Sequence, residues 1–329
     1  MLKLDFKFLL LNVKDCVQTY SVSAILAFIL VLLVPSSIRW CLFYVVGVFF
    51  VSYLVATFIE DWKPRKHVNP NGKAVLITGC DTGFGNELAR RLDRLGLHVF
   101  AGCLFPKGEG AEDLKQNTSD RLHIVPLDVT FDDSVQEAKD YIKTQLGDNI
   151  LWAVVNNAGI NAGGEVIWTS MNTVKKIFDV NTFGVVRVTK AFLPMLCKSQ
   201  GRVITTTSFV ARCSTPGLVA YSSSKQAAQS FCDGLRLEMY RFGVKVITIQ
   251  PSAHNTNFVN KERIFDYLNK EWEETALEVK EVMPDDTLEF GKRVAMNITT
   301  WSTTYDLKGT IDQFEEAIMA ENPKYSYNP

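Results

Sequence analysis

Ala74-Val75-Leu76-Ile77-Thr78-Gly79-Cys80-Asp81-Thr82-Gly83-Phe84-Gly85 carries a short apolar run into a loop with three glycines, and residues 86–95 follow with helical spacing of apolar and charged side chains. An apolar run too short for a helix and ended by Thr-Gly reads as a strand buried on both faces. The pattern of strand, turn and helix then recurs. Strands are expected at 98–103, 122–127, 152–155, 203–207 and 244–249, with helices at 134–146, 173–196 (broken near Gly184) and 221–242. Short all-apolar strands joined by helices make a parallel sheet covered on both faces, so the fold class is α/β, a doubly wound parallel sheet. Chemistry is then to be sought in the residues that follow each strand.

Glycines between a strand and a helix allow a tight turn and let a pyrophosphate approach the backbone, while the helix N-terminus offers free N–H donors. The sheet is therefore expected to be Rossmann-like and to bind a dinucleotide. A 2′-phosphate needs a nearby cation, yet the loop has no Lys or Arg and carries Asp81, which favours NAD over NADP. The supporting acid usual at the end of the second strand is missing, because Gly102-Cys103-Leu104-Phe105-Pro106 stands there.

Two uncharged stretches precede the domain, 21–38 and 40–59, separated by Arg39. Each meets the roughly 18–20 apolar residues that a helix needs to cross a hydrocarbon core. Pro35-Ser36-Ser37 is a natural turn between them, and we read an N-terminal transmembrane hairpin, with a single span as the alternative. Lys3, Lys7 and Lys14 before it and Lys63, Arg65 and Lys66 after it put both ends on the cytosolic side. The expected organisation is a lead at 1–20, the membrane segment at 21–60 and a Pro/Asn-rich linker at 61–73. A catalytic domain at 74–260 and a small C-terminal helical lid at 261–329 complete it. The expected location is the endoplasmic reticulum membrane with a cytosolic catalytic domain, the mitochondrial membrane ranking second. Asn117 and Asn297 head glycosylation sequons, and glycans there would reverse that topology.

The chain has 329 residues and a formal net charge of −1, which removes the broad basic field that nucleic-acid binding needs. Seven scattered cysteines without a Cys-x-x-Cys pair, and only four histidines, suggest neither a disulfide framework nor a metal site.

Tyr221 and Lys225 stand one helical turn apart. With ten tyrosines in the chain, that spacing arises by chance about 0.6 times. What carries information is the order: the glycine loop, Asn156-Asn157-Ala158-Gly159 after a strand, Asn181, Ser208, then Tyr221-Ser222-Ser223-Ser224-Lys225. This set resembles the short-chain dehydrogenases/reductases over nearly the whole domain. Its wording is similar to the branch that holds D-β-hydroxybutyrate dehydrogenase, the retinol dehydrogenases and 17β-hydroxysteroid dehydrogenase type 2.

The resemblance implies Tyr221 as acid/base, Lys225 holding the nicotinamide ribose, Ser208 hydrogen-bonding the substrate oxygen and Asn181 holding a water beside Lys225. It further implies Thr78, Gly79, Asp81, Gly83, Phe84 and Gly85 around the pyrophosphate and Asp128 at the adenine. Asn156, Ala158 and Gly159 would lie along the adenosine, and Thr256 at the carboxamide. A free tyrosine is a poor base at pH 7, and lowering its pKa by about three units needs roughly 4 kcal/mol, part of which a neighbouring ammonium supplies.

The family's Pro-Gly after the sixth strand is here Pro251-Ser252, which leaves open a catalytically weak NAD-binding scaffold. The expected function is a membrane-anchored NAD-dependent oxidoreductase that interconverts a small lipophilic alcohol and its ketone or aldehyde. Steroid is the first expectation and retinoid the second, with 3-hydroxybutyrate or an ecdysteroid as alternatives. Dimers and tetramers are common in the family, so a homo-oligomer is expected.

Overall fold

The computed structural model describes residues 36–62, 66–162, 164–252, 261–302 and 307–329. The chain divides into two compact units, Met1–Pro64 and Arg65–Pro329. In the first, α1 (Ser36–Trp62) is one continuous helix. Ser36 and Ser37, expected in a turn, are therefore helical, and the first half of the expected hairpin lies outside the described residues. Trp40, Phe43, Tyr44, Phe49, Phe50 and Tyr53 are exposed along α1. Among the described residues no helix is long and apolar enough to cross a membrane.

The second unit is built on a seven-stranded sheet of order β3-β2-β1-β4-β5-β6-β7, parallel throughout. Its strands are β1 (Lys73–Thr78), β2 (His98–Cys103), β3 (Leu122–Pro126), β4 (Ile150–Asn156), β5 (Arg202–Thr206), β6 (Lys245–Ile249) and β7 (Ser326–Tyr327). Alternation along β1 shows why it is apolar throughout. Val75 and Ile77 pack on one face with Leu88 and Leu92 of α2 (Gly83–Arg94) and with Phe314 and Ile318 of α11 (Lys308–Met319). Ala74 and Leu76 pack on the other face with Ile142 of α4 (Asp132–Gln145), Phe192 of α6 (Val185–Ser199) and Leu235 of α7 (Val219–Met239). Each fully buried side chain of this size contributes about 1.5–3 kcal/mol. The strand order reverses between β1 and β4, so the crevice for a ligand opens at their carboxyl ends.

The expected break near Gly184 is present as a π-helical turn, Asp179–Gly184, joining α5 (Met171–Phe178) to α6, and three differences from the expected elements have physical causes. Gly184 permits it, because a Cβ there would lie 2.7 Å from Val129 Cγ2. Helix α3 (Glu109–Asn117) was not anticipated, its polar face outweighing the two buried residues Ala111 and Leu114. The stretch read as a linker is tied down, since Val68 N donates to Met319 O (2.7 Å) and His67 pairs with Ala320. Finally, only part of 261–329 is lid-like. Helices α8 (Lys261–Glu274), α9 (Leu277–Val282) and α10 (Thr287–Ser302) stand apart from the sheet's core, whereas α11 is buried in it and β7 extends it.

Candidate active site

At the end of β1 the chain turns through Gly79 (φ 71°) and Gly83 (φ 63°), both left-handed. A Cβ at Gly79 would stand 2.9 Å from Ala158 Cα, and one at Gly85 would stand 2.3 Å from the Gly79 carbonyl. The loop is thus closed on itself and against the end of β4 by the absence of side chains. Thr78 Oγ1 accepts from Asn157 N (3.0 Å) and Ala158 N (2.9 Å), and Asn157 Nδ2 donates to the carbonyls of Thr78 (3.0 Å) and Gly79 (3.1 Å). Asn157, to which sequence reasoning attached no role, holds the loop. Thr82, the N-cap of α2, makes no side-chain capping bond. The first turn of α2 therefore has no hydroxyl of its own competing for its N–H groups, which fits an anion such as a pyrophosphate.

Asp81 reaches across to the end of β2, where its carboxylate accepts from Leu104 N (3.0 Å) and Phe105 N (2.8 Å). A carboxylate thus stands at the place where the sequence lacks one. Asp128, after β3, uses Oδ1 to accept from Thr130 N (2.9 Å) and Thr130 Oγ1 (2.6 Å), which fixes the turn into α4. Two residues lie elsewhere than expected. Asn156, on β4, turns into the interior, where its Nδ2 donates to Thr189 Oγ1 (2.9 Å), because alternation along the strand aims it at α6. Gly159 lies beside Lys225 and Asn181, where a Cβ would stand 3.3 Å from Lys225 Nζ and 3.3 Å from Asn181 Oδ1. Thr256 lies outside the described residues.

The four candidate catalytic residues converge. Ser208, at the carboxyl end of β5, caps the short 3-10 turn Phe209–Ala211 and shares a side-chain hydrogen bond with Tyr221. Tyr221 and Lys225 lie on the buried face of α7, with Lys225 Nζ 5.8 Å from the Tyr221 ring centre and donating to Thr206 O (2.8 Å). Asn181, fully buried in the π-helical turn, donates to Ile160 O (2.9 Å) and Ser224 Oγ (3.0 Å) and accepts from Ile160 N (2.9 Å). Ser224 Oγ in turn donates to Tyr221 O (2.7 Å). Ser224, part of the quoted Tyr-Ser-Ser-Ser-Lys run but given no role, is therefore the link between Asn181 and helix α7.

Burial pushes the Tyr221 phenol up to about 12, against a smaller lowering by Ser208. Burial pushes the Lys225 ammonium down to about 8. Desolvation disfavours the charged form of both groups, so this pocket by itself keeps Tyr221 protonated.

A family model described as short chain dehydrogenase matches residues 73–266. The chain belongs to the short-chain dehydrogenase family. It is an NAD(P)-dependent oxidoreductase of the alcohol dehydrogenase type. This dehydrogenase is 40% identical over 282 residues to retinol dehydrogenase 7 of Mus musculus, covering 84% of this chain and 88% of that one. It is 37% identical over 286 residues to estradiol 17-beta-dehydrogenase 2 of Rattus norvegicus, covering 86% and 73%. Among solved structures it is similar to a 3-ketoacyl-(acyl-carrier-protein) reductase from Brucella melitensis complexed with NADH. That match has 25% identity, a TM-score of 0.54, and covers 57% of this chain and 78% of that one.

Proposed function

We propose that this dehydrogenase is anchored in a membrane and uses NAD to interconvert a lipophilic secondary or allylic alcohol and its carbonyl, with a steroid as first substrate and a retinoid as second. The observation that carries the mechanism is the convergence of Ser208, Tyr221 and Lys225 at the carboxyl end of β5. Ser208 orients the substrate oxygen through its hydroxyl, which already reaches Tyr221. Tyr221 takes the proton from the alcohol, or returns it to the carbonyl, at its phenolic oxygen. With the phenol at about 12, this requires strong local stabilisation of the phenolate, some 7 kcal/mol to bring it to neutrality. Lys225 supplies part of that as an ammonium at neutral pH, held in place by Thr206 O. Asn181, fixed by Ile160 and Ser224, holds the loop after β4 against α7 so that Lys225 keeps its distance from Tyr221. A bound nicotinamide would supply the hydride acceptor, with its ribose held by Lys225 and its pyrophosphate by the loop of Thr78, Gly79, Gly83, Phe84 and Gly85.

The Asp81 carboxylate at the end of β2 supports NAD, since it would accept from ribose hydroxyls and repel a 2′-phosphate. A lipophilic substrate is supported by the names of the relatives and by exposed Val166, Ile167 and Phe209 in the loops after β4 and β5. The apolar stretch 21–60 supports anchoring, with the endoplasmic reticulum as the proposed membrane and the catalytic unit in the cytosol. Asn117 and Asn297 are both exposed, so an endoglycosidase shift on the cell-made protein would overturn that topology.

The deciding experiment assays the full-length protein in detergent with NAD or NADP against estradiol, retinol and 3-hydroxybutyrate. Oxidation of estradiol or retinol with at least about tenfold higher kcat/KM for NAD, equivalent to 1.4 kcal/mol, is expected. Turnover of 3-hydroxybutyrate alone, or preference for NADP, would reject the proposal.

A further inference from the structure

Glu271 of α8 is 4% exposed, yet its partners among the described residues are a backbone N–H, two hydroxyls and a phenol, with no cation among them. Its Oε2 accepts from Ser170 N (2.6 Å), and its Oε1 accepts from Thr173 Oγ1 (2.6 Å) and Ser170 Oγ (3.3 Å). Tyr267 OH stands 3.0 Å from the same oxygen and 2.5 Å from Thr173 Oγ1. Ser170 is the N-cap of α5, so the carboxylate sits on the positive end of that helix. Burial raises the Glu271 pKa, but these hydrogen bonds outweigh it and hold the group below the usual carboxylate range. A buried carboxylate held by several fixed donors is a position-sensitive contact, because displacing it strips those donors from a charge that is costly to bury unpaired.

An aromatic contact seats the same joint. Trp168, buried in the loop after β4, meets Trp272 of α8 edge-on at 5.8 Å, and Thr275 Oγ1 of the adjoining turn donates to Trp168 O (3.3 Å). Gly291 of α10 lies against the same ring, since a Cβ there would meet Trp168 Cζ2 at 3.4 Å, an ordinary packing distance. The loop that carries Trp168 is also tied to the loop after β5, where Gly164 N donates to Gly217 O (3.1 Å).

From this joint a continuous path leads to the chemistry. Helix α5 is a rod about 12 Å long, and it runs from Ser170 into the π-helical turn of Asn181. Asn181 bonds Ser224, whose hydroxyl bonds the Tyr221 carbonyl.

We infer that Glu271 is a positioning residue, a latch that holds helix α8 on the start of α5 and so sets the wall of the alcohol-binding pocket relative to Tyr221. The kinetic half of this inference rests on the proposed dehydrogenase activity; the structural half stands without it.

The test compares wild type, Glu271→Ala, Glu271→Gln and Tyr267→Phe as full-length proteins in detergent. Steady-state kinetics use the alcohol that wild type oxidises best, and hydrogen exchange follows peptides covering 261–282 and 219–239. Glu271→Ala is expected to raise KM for the alcohol about tenfold, with kcat within about threefold and KM for NAD unchanged, as for loss of binding-site order rather than of chemistry. Exchange across 261–282 should quicken about tenfold while 219–239 stays as in wild type. Glu271→Gln keeps the shape and an acceptor for Ser170 N–H, and should recover most of the loss. An unchanged alcohol KM together with unchanged exchange in folded Glu271→Ala overturns the latch, as does a fall in kcat at constant KM. Should Glu271→Ala not fold, Tyr267→Phe decides: about a threefold rise in KM supports the latch and no rise overturns it. A wild type that oxidises no alcohol in the panel breaks the functional proposal, and hydrogen exchange alone then decides the latch.

Discussion

The turn after β1 and the joint between α5 and α8 both hold distant parts of the chain together, and they are made of opposite materials. At the turn, Gly79, Gly85 and Ala158 meet because no side chain intervenes, and the backbone itself forms the cradle. At the joint, Ser170, Thr173, Tyr267 and Glu271 meet through side chains contributed from about a hundred residues apart. Steric exclusion leaves no room for adjustment, since even one added carbon collides with backbone. The joint fixes position by the number of its hydrogen bonds instead, so a single substitution there removes one partner at a time.

The contrast can be tested by substitutions ordered by the size of their effect. Tyr221→Phe leaves both junctions intact and removes only the proposed proton-transfer group, so kcat/KM should fall about 10³-fold while NAD binding by calorimetry is retained. Wild-type turnover in that variant would break the mechanism outright. Gly85→Ala attacks the turn: with a Cβ 2.3 Å from the Gly79 carbonyl, unfolding in urea should show a loss of about 3 kcal/mol, and NAD affinity should drop with it. A well-folded Gly85→Ala that binds NAD as wild type does would show that the cradle is softer than its geometry implies.

Lys225→Met comes next, and its two effects oppose each other. Because the folded-state pKa is lowered to about 8 from the ordinary 10.5, the unfolded chain binds more protons between those values. Stability therefore rises with pH through that window, and at neutral pH the buried ammonium is a burden of about 3 kcal/mol. Part of that is returned when Met leaves Thr206 O without its donor, so the variant should be inactive yet melt no lower than wild type at pH 7. A clearly lower Tm would mean that the ammonium stabilises the fold. The smallest effect is expected at Lys270→Ala, one residue before the latch, where an exposed pair with Glu274 at 4.0 Å is worth no more than about 0.5 kcal/mol. If thermal unfolding placed Lys270→Ala level with Glu271→Ala, burial would not be what distinguishes the latch.

The same contrast explains how legible the protein was. Strands β1, β2, β5 and β6 could be read because they are buried on both faces and each carries a run of apolar residues at its centre. The order of Thr78, Asn181, Ser208, Tyr221 and Lys225 could be read because each must follow a particular strand or turn. Helix α3 was missed because its apolar side is two residues wide, and β7 because two residues carry no periodicity. The lid is smaller than 261–329, since amphipathic spacing in α11 is the same whether its apolar face meets a substrate or the sheet. The resemblance puts Asn156 and Gly159 beside the adenosine, but a motif does not say which way a strand-end side chain turns, and Asn156 faces Thr189.

By itself the sequence determined the doubly wound sheet and the glycine turn, because these follow from local periodicity and from steric rules acting within a few residues. Only the tertiary structure decided that Asp81 would supply a carboxylate at the end of β2, that α11 and β7 would complete the core, and that Glu271 would cap α5. Each of these joins segments that are far apart along the chain, and such a contact is fixed by how the layers pack rather than by any pattern in the residues that make it.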